Sequence, residues 1–363
     1  MVLEHLELLD FRNYAGLALD VAPGLNLLVG ENAQGKTSFL EALYLLGASR
    51  SFRAAQDAEM VRWGASSSRV LARLRRDEGT ARELEFRWRR REEGGLERTV
   101  LRNRVPLRRL ADFLGEVPLT LFVPTDLALV QEGPQGRRRS LDLLLCKLSP
   151  VYLAALARLQ QVLRNRNQLL RRRPAPAPAE LEPWDLQLAE AAETLVPRRA
   201  EAVAALAVEA ADCFHRLSGG ASELGLEYRP ASPGTAGEVL ESLARRRREE
   251  LARGTTLVGP HRDDVELRLD GRSLRRFGSQ GQQRSAALAL RLAEARVLTA
   301  RSGEGALVLL DDCFSELDPG RGARLLEVLA EWRQVFVTTT TVPPLPPGPG
   351  SVLEVRSGGI RGT

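Results

Sequence analysis

The chain has 363 residues, of which 44% are hydrophobic and 27% charged, and its formal net charge is +5. That length and apolar fraction fit one large or two modest globular domains with packed cores. No run of about 18 apolar residues appears, and the N-terminal segment mixes acids with alternating apolar residues, unlike a signal peptide. We therefore expect a cytoplasmic protein with no membrane association.

Cysteine and histidine are too sparse to indicate a metal cluster. Cys146, Cys213 and Cys313 are odd in number, widely spaced and set among apolar neighbours, so they are predicted to be small buried core residues. The three histidines also lack the spacing of metal ligands. A metal ion, if the protein uses one, is expected to come with a nucleotide.

Arginine supplies nearly all of the positive charge, since only Lys36 and Lys147 among the 52 basic residues are lysine. Arginine clusters at 137–139, 171–173 and 245–248 would suit contact with nucleic-acid phosphates, because a guanidinium can donate two hydrogen bonds to the oxygens of one phosphate. A solvated helix face explains each cluster equally well, so DNA contact stays open at this point.

The first lobe is predicted to be rich in strands. Alternating apolar residues indicate strands at 2–9, 17–21 and 25–29, and an apolar helix is expected over 36–47 after a glycine-containing turn. Further polar-faced strands are predicted at 70–75, 83–89 and 98–103. They are expected to form an antiparallel sheet beside a parallel core.

Near Ser149 the spacing of apolar residues changes from the alternation of strands to the spacing of a helix, which predicts a helical lobe. Ser149 suits a helix cap, Pro150 suits the first turn, and leucines follow at helical spacing. After a proline-rich turn, a second helical pattern over 188–217 is expected to kink at Pro197. Helices of about 20 residues span roughly 30 Å, so we predict a short arm.

The strand pattern returns after Arg253. Strand is expected through TTLVGPHRDDVELRLDG, followed by a helix over 280–301, a buried strand over 306–310, a helix after Pro319 and a strand over 334–338. The tail PPLPPGPGS is expected to be a loop before a last strand at 352–355. The domain prediction is therefore a head of residues 1–125 and 255–363, with an inserted helical lobe of residues 126–254.

A phosphate-binding loop follows the third strand. The segment GENAQGKT matches GxxxxGK[ST] and lies where the mechanism needs it, between an apolar strand and a helix. Lys36 would reach the β and γ oxygens of ATP, and the Thr37 hydroxyl would coordinate Mg²⁺. The residues predicted to bind ATP here are Gly30, Glu31, Asn32, Ala33, Gln34, Gly35, Lys36, Thr37 and Ser38.

Two acids end the buried strand ALVLL, as in the Walker B segment of phosphate-loop ATPases. Asp311 is predicted to hold Mg²⁺ through water. Asp312 is the candidate catalytic residue, polarising the attacking water as general base. Paired carboxylates at the carboxyl end of a strand also occur as caps in proteins that bind no nucleotide, but the upstream phosphate loop favours the ATPase interpretation.

The segment FGSQGQQR, just before a long apolar helix, resembles the signature motif of ABC-type ATPases. Such a motif presents a serine, glycine backbone and a helix N-terminus to the γ-phosphate held by another subunit, so ATP joins a dimer. The predicted residues acting in trans are Ser279, Gln280, Gly281 and Gln282. In the following SELD, Ser315 and Asp318 are predicted to belong to a D-loop that completes this interface.

Taken together, the motifs resemble the RecF family over nearly the whole chain. The resemblance rests on LLDFRNY, GENAQGKT, FVPTDLALVQEGPQGRRRSLD, LVGPHRDD, GSQGQQR, LLDDCFSELD and VFVTTT. It implies an α/β fold, an ABC-type ATPase head of mixed parallel and antiparallel sheets with an inserted helical lobe or short arm. It also implies that Arg12 and Asn13 lie against the nucleotide.

The resemblance further implies a role in recombinational repair. Members of the family would bind DNA near junctions of single and double strands as ATP-dependent homodimers. With RecO and RecR, they would help to place RecA at gaps. ATP and Mg²⁺ would be the cofactors.

Three departures from the usual pattern of ABC-type ATPases predict slow ATP turnover. Asp312 stands where glutamate is usual, threonines at 338–340 stand where the switch histidine is usual, and only Gln131 is a candidate glutamine-loop residue. Two alternatives remain open, a DNA scaffold that binds ATP without hydrolysing it and a transporter-type ABC ATPase. The transporter type is disfavoured because its signature is usually closer to LSGGQ and its switch histidine is expected.

Overall fold

The computed structural model describes residues 1–220, 222–232, 234–315, 317–343 and 350–362. The chain forms two compact units, a first unit of Met1–Asp126, Asp212–Ala221 and Arg284–Thr363, and a second unit of Leu127–Ala211 and Ser222–Gln283. This division differs from the predicted one, since residues 255–283 group with the second unit and 212–221 with the first. The domain boundaries stay a prediction.

An antiparallel sheet occupies the first unit, in the strand order β2-β1-β4-β5-β6-β7. Its strands are β1 Val2–Phe11, β2 Tyr14–Asp20, β4 Ser67–Arg75, β5 Ala81–Arg90, β6 Leu96–Arg102 and β7 Val105–Pro106. Alternating side chains of β1 are buried, among them Leu6 and Leu8, which is the pattern of a sheet with one face on the core. The predicted antiparallel sheet is confirmed.

A second sheet of the first unit carries the phosphate loop. Its order is β15-β14-β3-β13-β12-β8, with every neighbouring pair parallel except β14 and β15. The strands are β3 Gly24–Val29, β8 Leu119–Phe122, β12 Leu307–Leu310, β13 Gln334–Thr339, β14 Gly350–Arg356 and β15 Gly359–Gly362. All residues of β12 and β13 are buried, as in strands covered on both faces. The predicted α/β fold of mixed sheets is confirmed.

Helices of the first unit flank this sheet. Helix α1, Lys36–Ala48, is buried over nearly its whole length, and α9, Pro319–Leu329, begins after an Asp318 cap whose carboxylate accepts from the Arg321 amide at 2.9 Å. Helix α8, Gln280–Ser302, starts in the second unit and ends in the first. These helices match the predicted ones closely.

Helices dominate the second unit, around a small sheet of order β11-β10-β9. The elements are α2 Ala128–Gln131, α3 Pro134–Leu148, α4 Pro150–Leu170, α5 Pro178–Ser218, β9 Leu224–Arg229, α6 Ala236–Arg253, β10 Asp264–Leu269, β11 Arg272–Ser273 and α7 Leu274–Phe277. The last residues of α5, 212–218, belong to the first unit. Ser149 caps α4 as predicted, since its Oγ accepts from the Tyr152 amide at 3.2 Å. Helix α5 has 41 residues and continues through Pro197, so it begins ten residues before the predicted pattern over 188–217.

The strand predicted from Thr255 onward begins only at Asp264. Gly259 has φ 128°, and Pro260 opens a short 3-10 turn that ends at Arg262. Proline has no amide hydrogen for a sheet, and a positive φ interrupts extended backbone, so this stretch forms a loop. The last predicted strand is confirmed in β14. The predicted tail loop lies in part at 344–349, outside the described residues.

His261 is enclosed within that loop. Its Nε2 lies 3.1 Å from the Thr256 carbonyl oxygen, and its Nδ1 is buried without a hydrogen-bond partner among the described residues. Burial, reinforced by the positive charges of Arg262, Arg138 and Arg166, lowers the pKa of the imidazole to about 4. The ring is therefore neutral in the folded protein at pH values where an exposed histidine is protonated.

The burial of His261 predicts that the unfolding free energy falls in acid because of this one residue. As pH falls from about 6.5 to about 4, the unfolded chain protonates His261 and the folded chain does not, so up to about 3 kcal/mol of stability is lost. His261→Gln, which keeps a donor toward Thr256, should remove that part of the pH dependence. Urea unfolding of both proteins at pH 7.5, 5.5 and 4.5 measures it. Parallel stability curves for the two proteins would contradict this expectation.

Candidate nucleotide-binding site

The phosphate loop contains two glycines at positions where a Cβ atom would not fit. A Cβ at Gly30 would lie 2.4 Å from the Val355 carbonyl oxygen, and one at Gly35 would lie 2.6 Å from Asn13 Nδ2. Gly35 also has φ 120°, a backbone conformation that L residues avoid. The glycines of the motif therefore serve close packing of the loop as well as backbone approach to a ligand.

Neighbouring segments brace the loop from outside. Asn13 Nδ2 donates to the Gln34 carbonyl oxygen at 2.9 Å, and Tyr14 donates its hydroxyl to the Gly35 carbonyl at 3.1 Å. The turn between β14 and β15 adds two bonds, from the Gly358 amide to the Gln34 carbonyl at 3.0 Å and from the Ser357 amide to Gln34 Oε1 at 2.7 Å. Asn13 therefore supports the loop that would hold a phosphate.

Lys36 curls back over the loop. Its Nζ donates to the carbonyl oxygens of Gly30 at 2.5 Å and Glu31 at 2.7 Å. Burial lowers the pKa of the ammonium, while the carboxylates of Asp312 and Asp311 act in the opposite direction. The cation is thus placed at the head of the loop with partners that phosphate oxygens could replace.

The two predicted acids lie across the site from the loop. Thr37 Oγ1 is 3.0 Å from both carboxylate oxygens of Asp311, which is buried at the end of β12. Burial raises the pKa of Asp311 and the charge of Asp312 adds to it, against hydrogen bonds from Thr338 and Thr37. A hydroxyl facing a carboxylate in this way supplies the oxygen ligands that Mg²⁺ prefers, so these residues fit the ion that the motifs imply.

Thr338 joins the two acids. Its hydroxyl donates to Asp311 Oδ1 at 2.6 Å and accepts from the Asp312 amide at 2.9 Å. Asp312 itself is partly exposed and has φ 47°, in the left-handed region. The threonine that stands where a switch histidine was expected therefore fixes the backbone of the candidate catalytic residue.

An ionic cluster behind the loop was not predicted. Glu41 on α1 is fully buried, and Arg12 grips it in a bidentate manner, with Nη2 to Oε1 at 2.6 Å and Nε to Oε2 at 2.8 Å. Arg53 Nε also donates to Oε2 at 2.8 Å, and Ser51 donates to Oε1. Burial would raise the pKa of Glu41, but the bonds from Arg12, Arg53 and Ser51 outweigh it and lower the pKa.

These side chains open on one cavity of about 1220 Å³ in the first unit. The predicted residues that line it are Arg12, Asn13, Asn32, Ala33, Gly35, Lys36, Thr37, Ser38, Asp311 and Asp312. Arg53, Trp63, Arg90 and Thr338 line it as well and were not predicted as site residues. Trp63 is 98% exposed, so its indole face is open to a ligand. No sequence pattern marks Trp63 as a site residue, because its exposure at the rim of a pocket is a property of the fold.

The signature segment caps its own helix in the second unit. The Ser279 amide donates to Gln282 Oε1 at 2.9 Å, and Ser279 Oγ accepts from the Gln282 amide at 3.3 Å. Ser279 and Gln280 are exposed, and Gly281 is half-buried. The helix N-terminus is therefore formed and open to solvent, as a motif that acts on another subunit requires.

The remaining predicted residues have structural partners. Ser315 Oγ donates to the Asp312 carbonyl oxygen at 3.1 Å, so the serine predicted for the D-loop contacts the candidate catalytic residue, whereas Asp318 caps α9. Glu316 of this motif lies outside the described residues. Gln131 Nε2 donates to Gln283 Oε1 at 2.8 Å, which links it to the signature helix.

The three cysteines are buried thiols. Within the described ranges, no group of three or more His, Cys, Asp or Glu side chains could hold a metal ion. In the same ranges, no helix is both long enough and apolar enough to cross a membrane.

Removal of the Glu41 charge is expected to destabilise the first unit. Glu41→Gln removes the buried anion that pairs with Arg12 and with the more exposed Arg53, which should cost about 3 kcal/mol of unfolding free energy. Urea denaturation measures it. Glu4→Gln is the matched control, because Glu4 pairs with Arg75 on an exposed face and should change stability far less. Equal effects of the two substitutions would show that the cluster is not structural.

Comparison with known proteins gives matches over nearly the whole chain. The family model described as RecF/RecN/SMC N terminal domain matches residues 2–345. The DNA replication and repair protein RecF of Heliobacterium modesticaldum is 42% identical over 372 residues, covering 99% of this chain and 98% of that protein. RecF of Chloroflexus aurantiacus is 41% identical, covering 94% of this chain and 93% of that protein.

Solved structures agree with these matches. The recombination mediator protein RecF with ATP in the RecFOR pathway aligns with a TM-score of 0.89 and 28% identity, covering all of this chain and 97% of that one. An Smc head bound to the C-winged helix domain of ScpA aligns with a TM-score of 0.58 and 15% identity, covering all of this chain and 97% of that one, which shows the shared fold. Both the sequence resemblance and the predicted ABC-type head fold are therefore confirmed, and the chain belongs to the RecF family.

Proposed function

We propose that this protein is an ATP-dependent DNA-binding protein of recombinational repair, in which ATP joins two copies across their signature motifs. The observation that carries the proposal is the contact of Thr37, Asp311 and Thr338 beside Lys36 in one cavity. The family's curated members are named for DNA replication and repair, and a relative's structure holds ATP.

ATP would lie along the cavity with its phosphates on the loop. Backbone amides between Gly30 and Lys36 would surround the β-phosphate, and the Lys36 ammonium would leave its carbonyl partners for the β and γ oxygens. The open face of Trp63 would stack on the base. Thr37 and Asp311 would hold Mg²⁺, which when bound neutralises developing charge on the phosphates.

Hydrolysis would rely on Asp312 and would be slow. A threonine hydroxyl can donate only one hydrogen bond, and Thr338 donates it to Asp311 while its oxygen accepts a bond from the Asp312 amide. No proton of Thr338 then remains for a γ-phosphate oxygen, which a histidine at this place could stabilise. Weak stabilisation of transition-state charge costs rate rather than ATP affinity, so ATP would act mainly as a timed switch.

The signature helix would complete the site of a second copy. Ser279 and the α8 N-terminus would meet the γ-phosphate bound by the partner, since backbone amides at a helix start attract anions. ADP lacks that phosphate, so the pair would separate after hydrolysis. The result is an assembly whose lifetime depends on ATP.

The arginine clusters differ in their availability to DNA. Arg137 is bonded to Asp264 at 2.8 Å and Arg138 donates to the Asp263 carbonyl, so these two serve the fold. Residues 171–173 are exposed, as are Arg245, Arg246 and Arg248 on α6. We place phosphate contacts on the exposed clusters. By family membership, RecO and RecR would be partners at gaps where RecA is loaded.

Dimerisation is the first property to test, by sedimentation of the purified chain with and without ATP and Mg²⁺. We expect a shift from monomer to dimer with ATP. Lys36→Met should abolish it by loss of phosphate binding, and Ser279→Arg should abolish it while ATP binding persists.

Gln160→Arg, an added charge at an exposed position on α4, is the matched control and should dimerise like the unsubstituted chain. Duplex DNA binding at one fixed salt concentration should follow dimerisation across the set. A chain that stays monomeric with ATP would contradict the proposal.

Asp312→Asn separates an ATPase from a scaffold that only binds ATP. The amide cannot accept a proton from water, so turnover should fall at least about 100-fold, a usual contribution of general base catalysis, and the ATP dimer should persist. A chain that hydrolyses nothing before the substitution would favour the scaffold. Turnover of about 100 per second, the top of the range for phosphoryl-transfer enzymes such as kinases, would contradict slow switching.

A further inference from the structure

We propose that the second unit carries a pocket for one unpaired nucleotide of single-stranded DNA. The pocket, here called the Trp184 pocket, has a volume of about 440 Å³ and is lined by Asn165, Gln168, Leu169, Arg171, Arg172 and Trp184. That volume lies within the range of about 300–1,000 Å³ typical of small-ligand sites. The inference rests on the proposed DNA-binding function and adds a place where a strand without a complement is recognised.

A buried ionic network fixes the walls of the pocket. Arg166, next to Asn165 on α4, is fully buried and donates from Nε to Asp185 Oδ1 at 2.7 Å. Asp185 directly follows Trp184 on α5. Arg166 also donates from Nη2 to Glu250 Oε2 on α6 at 2.6 Å. Three helices are thus tied together one residue away from the pocket lining, which makes the pocket preformed.

Polar groups in the pocket are available to a ligand. Trp184 is half-buried, and its indole N–H makes no hydrogen bond among the described residues. The side-chain amides of Asn165 and Gln168 also lack partners in that part of the chain. An indole face with free amides beside it matches how proteins bind unstacked bases, by stacking and by bonds to base edges.

The charge of the rim fits a phosphate backbone. Arg171 uses Nε on the Gly254 carbonyl oxygen at 3.2 Å, and Arg172 pairs with Glu180 at 2.6 Å, both from exposed positions. No acidic residue is among the six that line the pocket. An aromatic platform inside a basic rim is the usual arrangement for single strands, whereas bases inside a duplex are stacked and cannot enter.

Binding of a labelled oligodeoxythymidylate of ten nucleotides tests the pocket, in parallel with a blunt duplex, both with ATP and Mg²⁺. Trp184→Ala should weaken oligonucleotide binding roughly tenfold, within the range for loss of one stacked base, and leave duplex binding unchanged. Trp184→Phe keeps a stacking face and should restore most of the affinity. Oligonucleotide should also quench a part of the tryptophan fluorescence that Trp184→Phe lacks.

The double substitution Asn165→Ala and Gln168→Ala is a second test of the pocket. It is not expected to disturb the fold, because these two side chains are half-buried and exposed and make no hydrogen bonds among the described residues. This pair should weaken the oligonucleotide alone, and Gln160→Ala on the same helix is the matched control. Equal oligonucleotide affinity of the unsubstituted chain and Trp184→Ala, or no binding by the unsubstituted chain, would overturn the pocket. If the unsubstituted chain did not bind duplex DNA in the presence of ATP, the proposed function would be wrong. Quenching of Trp184 fluorescence by the oligonucleotide would still show whether the pocket binds a single strand.

Discussion

The carboxylate of Asp311 meets side chains from two other elements, and the site exists because the sheet order allows that meeting. Thr37 comes from the start of α1 after β3, Thr338 comes from β13, and Asp311 ends β12. The three strands are neighbours in the order β3-β13-β12 and run parallel, so their carboxyl ends share one edge. A crossover connection places β13 between the other two. The chemistry therefore depends on topology before it depends on any single side chain.

Residues that act through a local pattern could be predicted from the sequence. The phosphate loop needs only a strand, a glycine turn and a helix start, and the acids need only the end of an apolar strand. Contacts between distant segments could not be predicted in this way. Glu41 lies 29 residues from Arg12, and in the sequence it is one acid within a helix, indistinguishable from a surface charge. Only the fold shows that it is buried and gripped by two guanidinium groups.

Contacts between distant segments also explain why the spacing of apolar residues did not predict some helices. Helix α6 is rich in arginine and glutamate, and an apolar face is hard to find when one of its buried residues is Glu250. That carboxylate is buried because Arg166 and the Leu257 amide satisfy it, the latter at 2.7 Å. Periodicity assumes that buried means apolar. In the second unit, ion pairs replace part of the apolar core, so the assumption fails where the packing is most specific.

Asp312 replaces a more usual glutamate, and the backbone offers a physical reason. Its φ of 47° lies in the left-handed region, which short polar residues such as aspartate tolerate better than longer side chains. The hydrogen bond from its amide to Thr338 holds that conformation at 2.9 Å. The Thr338 hydroxyl therefore supports the backbone of Asp312 in this conformation, although the bond itself does not depend on the side chain at position 312. Asp312 and Thr338 both line the cavity. Under the proposed function, a threonine at this place would leave fewer groups to stabilise charge on the γ-phosphate, and ATP would be held for longer before it is cleaved.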